Sequence, residues 1–225
     1  MEDAYVINLK TSNDRWLTIQ KSFEGTGIHL KRVEPVKPTG KYKTKTRRSI
    51  NSLSLTFLKL LKMAKSKNLP YLLVLEDDCK PAPDFVKNWA TIQAWLKSNL
   101  NEWDIYSGGS LNIIDPFVVA YKENITFYRP KSTWSSHFIY IHRNSYDAAI
   151  KKYRAAYGPK KDKIVATDSI NSQLKLIISY PFVAHQNNSK STITRKKSYG
   201  VISKFKKEER ALGKYKTRKL FRSPT

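Results

Sequence analysis

The feature that most constrains this chain is a short apolar segment that runs directly into three consecutive carboxylates. The segment spans residues 71–75, and the carboxylates are Glu76, Asp77 and Asp78. Its length and aliphatic content are typical of a strand buried on both faces, as in a parallel sheet. Burying three adjacent carboxylates is costly, so the acids are expected to meet water, basic groups or a cation at the end of the strand. In open α/β sheets, ligands bind at that edge.

The acidic triplet therefore predicts a metal or phosphate site. Mg²⁺ and Mn²⁺ favour oxygen ligands and are commonly held by one or two carboxylates together with substrate phosphates. The alternative is an acidic turn that merely closes a core strand. Cys79 is the only cysteine. It is expected to fill space beside the acids, and an intrachain disulfide framework is excluded, which suits a reducing compartment.

The charge of the chain is strongly positive. Lys and Arg number 42 against 18 Asp and Glu, giving a formal net charge of +24 over 225 residues. Such charge attracts polyanions, nucleotides or anionic lipid headgroups, although a solvated lysine-rich surface is an equal alternative. Basic residues concentrate in residues 41–48 and 195–225. We expect a domain over 1–194 and a basic C-terminal extension over 195–225.

The sequence also gives an expectation for where the protein is located in the cell. No run reaches the ~18 apolar residues of a membrane span. The first ten residues do not resemble a secretory signal. The expectation is a cytoplasmic protein whose basic extension could contact an anionic membrane surface.

The pattern of apolar residues alternates between strands and helices, which predicts an α/β fold with a mixed, mostly parallel sheet flanked by helices. Predicted strands cover residues 5–9, 71–75, 103–106, 137–142 and 180–185, with a hairpin over 118–121 and 126–128. Predicted helices carry the apolar positions of residues 16–23, 53–64, 85–96, 146–153, 170–177 and 201–212, and residues 33–48 are predicted as a loop.

The order of these motifs resembles glycosyltransferase family 25, the lipopolysaccharide and collagen galactosyl- or glucosyltransferase type, over about residues 4–193. The likeness lies in residues 5–10 with Asp14 and Arg15, in the Leu-Glu-Asp-Asp signature at 75–78, in residues 137–141, and in 166–168 with 180–186 and 189–193. The chain departs from the family at a Gly-Cys-x-x-Ser-His segment, of which Ser54 alone remains.

The resemblance implies a GT-A fold with a nucleotide-binding N-terminal half. It implies transfer of a hexose from a nucleotide sugar, expected to be a UDP-sugar, with inversion at the anomeric carbon. The acceptor would be a hydroxyl of a glycan, a lipid-linked glycan or a protein. A cation, Mn²⁺ or Mg²⁺, would stabilise the charge that develops on the departing diphosphate.

Three residues are candidates for that cation. Asp78 is the expected direct ligand, with Glu76 as the other outer acid of the triplet. His185 is the candidate for the remaining protein ligand, although a structural role after a strand is the alternative. Asp77 would instead contact the ribose or a group behind the ligands, so Glu76 and Asp77 are also assigned to nucleotide-sugar binding.

Inversion in a single displacement requires a base for the acceptor hydroxyl. The late Asp of the family falls on Asp168, which could equally be the N-cap of the following helix. His137 and Asp104 are further candidates for the base.

Nucleotide binding is expected to use Asn8, Lys10 and Arg15, which follow the first strand at the sheet edge. Arg47 and Arg48 could close over the diphosphate from a loop. Trp134 could stack on a sugar face, the alternative being a core tryptophan.

Two other functions compete with this interpretation. Clustered acids and high positive charge also suit a metal-dependent nuclease or other phosphodiester enzyme. A non-catalytic nucleic-acid-binding module would use the basic extension, but its basic residues lack the interleaved aromatic residues of single-strand binders.

Overall fold

The computed structural model describes residues 2–39, 44–156, 166–187 and 201–220. The strands are β1 Glu2–Ile7, β2 Ile28–Val33, β3 Tyr71–Glu76, β4 Cys79–Pro81, β5 Ile105–Ser107, β6 Leu111–Ile114, β7 Phe117–Lys122, β8 Ile125–Arg129, β9 Ser132–Trp134, β10 Phe138–His142, β11 Leu176–Tyr180 and β12 Ala184–Gln186. The α-helices are α1 Asn13–Ser22, α2 Lys45–Ser66, α3 Phe85–Ser98, α4 Tyr146–Ala156, α5 Thr167–Asn171 and α6 Val201–Leu220.

The predicted mixed sheet flanked by helices is confirmed. Within the described residues an eight-stranded sheet has the order β2-β1-β3-β10-β5-β11-β8-β7. β1 pairs in parallel with β2 and β3, and β5 pairs in parallel with β11. β10 is antiparallel to both of its neighbours, and the predicted hairpin is present as β7 and β8. The carboxyl ends of β1, β3 and β5 therefore share one edge of the sheet.

Strand β3 lies at the centre because its side chains are apolar on both faces. Leu73 and Leu75 pack into one hydrophobic cluster, on the side of α1 and α3, and each is 1% exposed or less. Leu72 and Val74 pack on the opposite side, against α2 and α4. Alternate side chains of a strand point to opposite faces, so a continuous apolar run is satisfied only between two layers of helices.

Helix α2 begins earlier than the sequence predicts. Thr44 is its N-cap, and the Thr44 side chain accepts a hydrogen bond of 3.2 Å from the backbone N–H of Arg47. The predicted loop over residues 33–48 therefore ends at the start of this helix. Arg47 and Arg48 lie in its first turn and not in a loop.

The predicted basic helix in the C-terminal extension is confirmed as α6. Its Phe205 and Leu212 are 0% and 2% exposed and pack on Tyr128, Ile178 and Phe182. The extension thus contributes apolar side chains to the hydrophobic interior. Residues 41–43 of the first basic run, 189–193 of the family resemblance, and 195–200 and 221–225 of the extension lie outside the described residues.

One predicted helix is wrong. Apolar residues at 170, 174 and 177 suggested helical spacing, but α5 ends at Asn171 and Ile177 belongs to strand β11. Ile177 and Ile178 are both fully buried on opposite sides of the sheet, which a central strand requires. In the described ranges, none of the helices is both long and apolar enough to cross a membrane.

Candidate functional site

The acidic triplet lies at the carboxyl edge of β1 and β3. Glu76 is in register with Ile7 of β1, so Asn8, the next residue of the first strand, comes beside Asp77. Asn8 is held by its own backbone N–H, which donates to the carbonyl of Val33 at 3.1 Å. The structure thus brings together the ends of two parallel strands, as the sequence predicts.

Asp77 is paired with basic and amide groups. The Nδ2 group of Asn8 donates to Asp77 Oδ2 at 2.6 Å. The guanidinium of Arg15, in the first turn of α1, forms an ion pair with Asp77 Oδ1. Burial raises the pKa of Asp77, while Arg15 and Asn8 oppose that rise. Asp77 therefore links the β3 edge to α1 and holds Arg15 over the acids.

Asp78 is less completely paired. Its Oδ2 lies 3.5 Å from Arg15 Nη2, and its Oδ1 is buried with no hydrogen-bond partner among the described residues. Burial raises the pKa of Asp78 to about 6, with Arg15 and the side chain of Gln186 opposing and Asp77 adding to the rise. The backbone is fixed by Asn187, whose N–H donates to the Asp78 carbonyl at 2.8 Å.

The pKa of Glu76 indicates that four carboxylates lie near one another: Glu76, Asp77, Asp78 and Asp168. Burial raises the pKa of Glu76 well above its ordinary value, and the charges of Asp78, Asp168 and Asp77 raise it further. Asp168 therefore lies close enough to the triplet to act on Glu76, although 92 residues separate them in sequence. Helix α5 reaches this position by packing on β9, α2 and α4.

Asp168 is held by the segment before β10. Its carboxylate accepts hydrogen bonds from the Ser136 hydroxyl and from the backbone N–H of Ser135. Burial raises the pKa of Asp168. The N-cap role is wrong, because α5 has Ala166 at its N-cap position and Asp168 within its first turn. Its side chain is thus committed to the segment before β10.

Ser54 connects α2 to the same place. Its hydroxyl lies 2.9 Å from the hydroxyl of Thr167, the residue before Asp168, and both side chains are buried. This contact between Ser54 and Thr167 therefore supports the position of α5.

The other two candidates for the base are placed differently. His137 is fully buried next to the site, its carbonyl accepting from the N–H of Glu76 at 3.0 Å. Burial lowers the pKa of His137 to about 3, so the imidazole is neutral. Asp104 precedes β5 and lies at the opposite edge of the sheet, beside Ser145. The prediction that Asp104 could act as the base is therefore wrong, because the residue lies far from the other acids.

His185 does not join the acids in a metal-binding group. Its ring lies 5.6 Å from the ring of Phe205 and 6.3 Å from that of Phe182. Burial, Lys206 and Lys80 lower the pKa of His185. Across the described parts of the chain, no three His, Cys, Asp or Glu side chains are placed to hold a metal ion together. Gln186, the residue after His185 in β12, forms the side-chain hydrogen bond with Asp78.

β12 is held close to the end of β5 by a glycine. The N–H groups of Val183 and Ala184 both donate to the carbonyl of Gly108, at 2.9 and 3.0 Å. A Cβ atom on the next residue, Gly109, would lie 2.1 Å from the Ala184 carbonyl oxygen. Only glycine permits this approach, which brings Gln186 to Asp78.

A cavity of about 280 Å³ opens beside the acids. It lies between the β1 end, the segment after β2 and the first turns of α2. Its lining residues are Ile7, Asn8, Leu9, Glu34, Pro35, Lys37, Pro38, Arg48, Ser49, Ser52, Leu53, Glu76 and Asp77. Apolar walls with a few convergent polar groups are typical of small-molecule sites.

Only one of the three predicted nucleotide-binding residues lines this cavity. Asn8 lines it, while Arg15 stands over the acids. The Lys10 side chain is exposed and outside the lining, and its backbone N–H donates to Glu34 Oε2 at 3.0 Å. Of the two arginines assigned to a closing loop, Arg48 lines the cavity from the helix.

Several site residues were not found from the sequence. Glu34, Lys37, Ser49 and Ser52 line the cavity, and Gln186 reaches Asp78. These residues are polar positions in a loop, on a helix surface and at the end of strand β12, and no motif distinguishes them from solvated side chains. Nothing in the sequence around Trp134 and Ser136 indicated the contact between Ser136 and Asp168.

The site can hold a divalent cation together with phosphates. Its carboxylates concentrate negative charge against one nearby guanidinium, and Asp78 Oδ1 is a buried oxygen with no partner among the described residues. A cation bound by one or two carboxylates would take its remaining ligands from a diphosphate. The residues therefore fit a cation that binds with its substrate.

Comparisons with known proteins give likeness in structure only. None of the protein-family models matches the chain, and none of the curated protein sequences matches it. Among solved structures, a protein from STIV is 11% identical, with a TM-score of 0.44 over 84% of this chain and 87% of that one.

Two further structures belong to enzymes. A glycosyltransferase involved in the glycosylation of the major capsid of PBCV-1 is 9% identical, with a TM-score of 0.41 over 70% of this chain and 67% of that one. A UDP-glucose pyrophosphorylase complexed with UDP-glucose is 10% identical, with a TM-score of 0.44 over 96% and 99%. These TM-scores are below 0.5, so the function of the chain must be argued from its own site.

Proposed function

We propose that this protein is a glycosyltransferase of the family 25 type. It would transfer a hexose from a nucleotide sugar, expected to be a UDP-sugar, to an acceptor hydroxyl with inversion. The observation that carries the proposal is the convergence of Glu76, Asp77, Asp78 and Asp168 next to a cavity at the carboxyl edge of the sheet. The strand ends would supply the donor pocket, and helix α5 would supply a separate carboxylate, Asp168, for the acceptor.

The cavity suits the nucleoside part of the donor. Its volume of about 280 Å³ is near the lower end of the usual range for ligand pockets, roughly 300–1,000 Å³. Asn8 and Asp77 lie at the inner end of the lining and could bind ribose hydroxyls. Arg48, on the first turns of α2, faces the same space and would contact a phosphate.

The diphosphate would lie over Arg15 and Asp78. Arg15 is held in place by Asp77, so its guanidinium is oriented before the donor arrives. Asp78, with Glu76, would hold the cation that accompanies the diphosphate, and the cation would stabilise negative charge on the leaving group as a Lewis acid. His185 packs on Phe182 and Phe205 and is not assigned to this cation.

Asp168 is the proposed general base. It would accept the proton of the acceptor hydroxyl as that oxygen attacks the anomeric carbon from the face opposite the diphosphate, which gives inversion. Burial raises the pKa of Asp168, and a base is more effective when its pKa moves towards the working pH. Ser135 and Ser136 fix the carboxylate through two hydrogen bonds.

Release of UDP from UDP-glucose, UDP-galactose and UDP-N-acetylglucosamine, measured with Mn²⁺ and with chelator, tests the proposal. We expect cation-dependent turnover for one of these donors and a loss of about a hundredfold in Asp78→Asn. The matched control is Asp147→Asn, which removes an aspartate whose side chain is 76% exposed on α4.

Near-normal UDP release by Asp78→Asn would contradict the role of Asp78. Cleavage of single-stranded nucleic acid, without UDP release from any donor, would identify a phosphodiester enzyme instead.

A further inference from the structure

We propose that Trp134 is the platform on which a sugar ring of the acceptor stacks. This inference rests on the proposed function for the identity of the bound molecule, and it names the acceptor class: a saccharide that presents an apolar ring face. Neither a protein nor a lipid hydroxyl without a sugar would use this platform.

The exposure of Trp134 sets it apart from the other four tryptophans. Trp89 and Trp103 are 4% and 1% exposed, and Trp16 and Trp95 are partly buried against the same core cluster. Trp134 is 62% exposed, so the alternative of a core tryptophan is wrong. A large aromatic side chain left in water loses the free energy that burial would provide, which an occasional ligand can recover.

Strand β9, which ends at Trp134, packs on helix α5, which carries the proposed base. Ser135 donates its backbone N–H, and Ser136 its hydroxyl, to the carboxylate of Asp168. The indole is thus carried by the same short segment that orients Asp168. A sugar stacked on Trp134 would therefore lie on the segment that holds that carboxylate.

The segment is rigid because contacts fix it on both sides. Trp134 pairs with Leu111 across the β6–β9 ladder, and the buried Thr133 donates its hydroxyl to the Leu111 carbonyl at 2.9 Å. Since neighbouring side chains of a strand point in opposite directions, an inward Thr133 directs Trp134 outward. On the other side, the Ser135 hydroxyl bonds to His137 Nδ1.

The backbone of Ser135 is also strained. Its φ of +105° is a value that residues other than glycine rarely adopt. Such conformations persist where surrounding contacts over-determine them, and they cluster at functional sites. Here the strained residue turns the chain between an outward tryptophan and an inward contact with Asp168. The conformation therefore links the two halves of the proposed acceptor site.

A sugar ring suits this surface chemically. One face of a pyranose carries C–H groups, which pack on the electron-rich face of an indole, while its hydroxyls remain at the ring edge and in water. Aromatic contacts of this kind are moderate in strength, so one platform gives weak, ring-face-dependent binding. The acid cluster would then select the hydroxyl that reacts.

Saturation-transfer NMR with methyl β-glucoside, methyl β-galactoside and methyl α-mannoside tests the platform directly. We expect transfer to the ring-face protons of at least one glycoside with the wild-type protein. In Trp134→Ala the signal should fall by about fivefold, and Trp134→Tyr should retain most of it. The matched control is Phe117→Ala, which removes a 47% exposed aromatic side chain from β7 and should leave the signal unchanged.

The thermal shift produced by UDP with Mn²⁺ separates this inference from the proposed function. A UDP shift in both proteins, with saturation transfer lost only in Trp134→Ala, supports both. Equal saturation transfer in wild type and Trp134→Ala, or none with any glycoside in the wild type, overturns the platform. A Trp134-dependent signal without any UDP effect keeps the platform and overturns the transferase.

Discussion

Two aspartates at opposite edges of the central sheet are treated in opposite ways. Asp104, at the amino end of β5, accepts on both oxygens: Oδ1 from the Ser145 hydroxyl at 2.8 Å and Oδ2 from the Lys175 backbone N–H at 2.9 Å. Asp78, after β3, has a buried Oδ1 with no partner among the described residues and lies among other carboxylates. The two side chains have the same chemistry and different surroundings.

The surroundings of these two aspartates distinguish an acid that stabilises the fold from an acid with the features of a functional site. A partly buried carboxylate with donors on both oxygens, such as Asp104, stabilises the fold, because the buried hydroxyl of Ser145 would otherwise lose an acceptor. A carboxylate buried beside like charges destabilises the fold, and strongly shifted pKa values of this kind cluster at functional sites. The carboxyl edge carries that cost at four positions, Glu76, Asp77, Asp78 and Asp168, whose pKa values are all raised.

The largest effect should come from removing the proposed base. Asp168→Asn should lower the rate of sugar transfer by about 10²–10⁴-fold, because the acceptor hydroxyl loses its proton acceptor. The affinity for UDP, measured by calorimetry, should stay close to wild type, because Asp168 lies outside the lining of the cavity. Equal losses of transfer and UDP affinity would argue against a base role.

The structural aspartate should give the next largest effect, on stability. Asp104→Ala should lower the free energy of unfolding by about 2 kcal/mol, because the Ser145 hydroxyl and the Lys175 N–H lose their acceptor. Chemical denaturation measures this, with Asp147→Ala as the exposed control. A stability equal to wild type would show that the paired edge is not the stabilising one.

The smallest effect should have the opposite sign. Asp78→Asn should raise the free energy of unfolding at pH 7.5 by about 1–2 kcal/mol, since the pKa rise of about two units, which already includes the Arg15 contact, sets an upper limit of roughly 3 kcal/mol.

The pH dependence gives a check on this sign. The pKa of Asp78 rises from 3.8 to about 6 on folding, so the folded state holds the proton more tightly. The wild type therefore loses stability as pH rises from about 4 to 6, and the difference from Asp78→Asn should vanish near pH 4. A variant less stable than wild type at pH 7.5 would contradict the contrast.

Much of the fold is predictable from local patterns. Residues 71–75 are apolar on both faces, so a central strand followed by an acidic edge has no easy alternative. The region around Ile177 is different, because apolar residues at 170, 174 and 177 fit a helix and Leu176–Tyr180 fits a buried strand equally well. Pairing with β5 and β8 decides between them, and that pairing is not a local property.

The site is less predictable than the fold. The sequence places Asn8 and the acids at strand ends, but the contact of Asp168 with Ser136 depends on how α5 packs. Trp134 lacks a periodic pattern that would show which way it faces. In α6, Phe205 and Leu212 are hidden among basic residues, and only the packed structure reveals that the helix covers Phe182.

Calorimetric titration of UDP into the wild-type protein and into Asp78→Asn, with and without Mn²⁺, tests whether the acid edge binds a nucleotide diphosphate together with a cation. We expect Mn²⁺ to tighten UDP binding by about tenfold or more in the wild type and to have little effect in Asp78→Asn. Tight UDP binding that is indifferent to Mn²⁺ in both proteins, or absent from both, would contradict this joint binding.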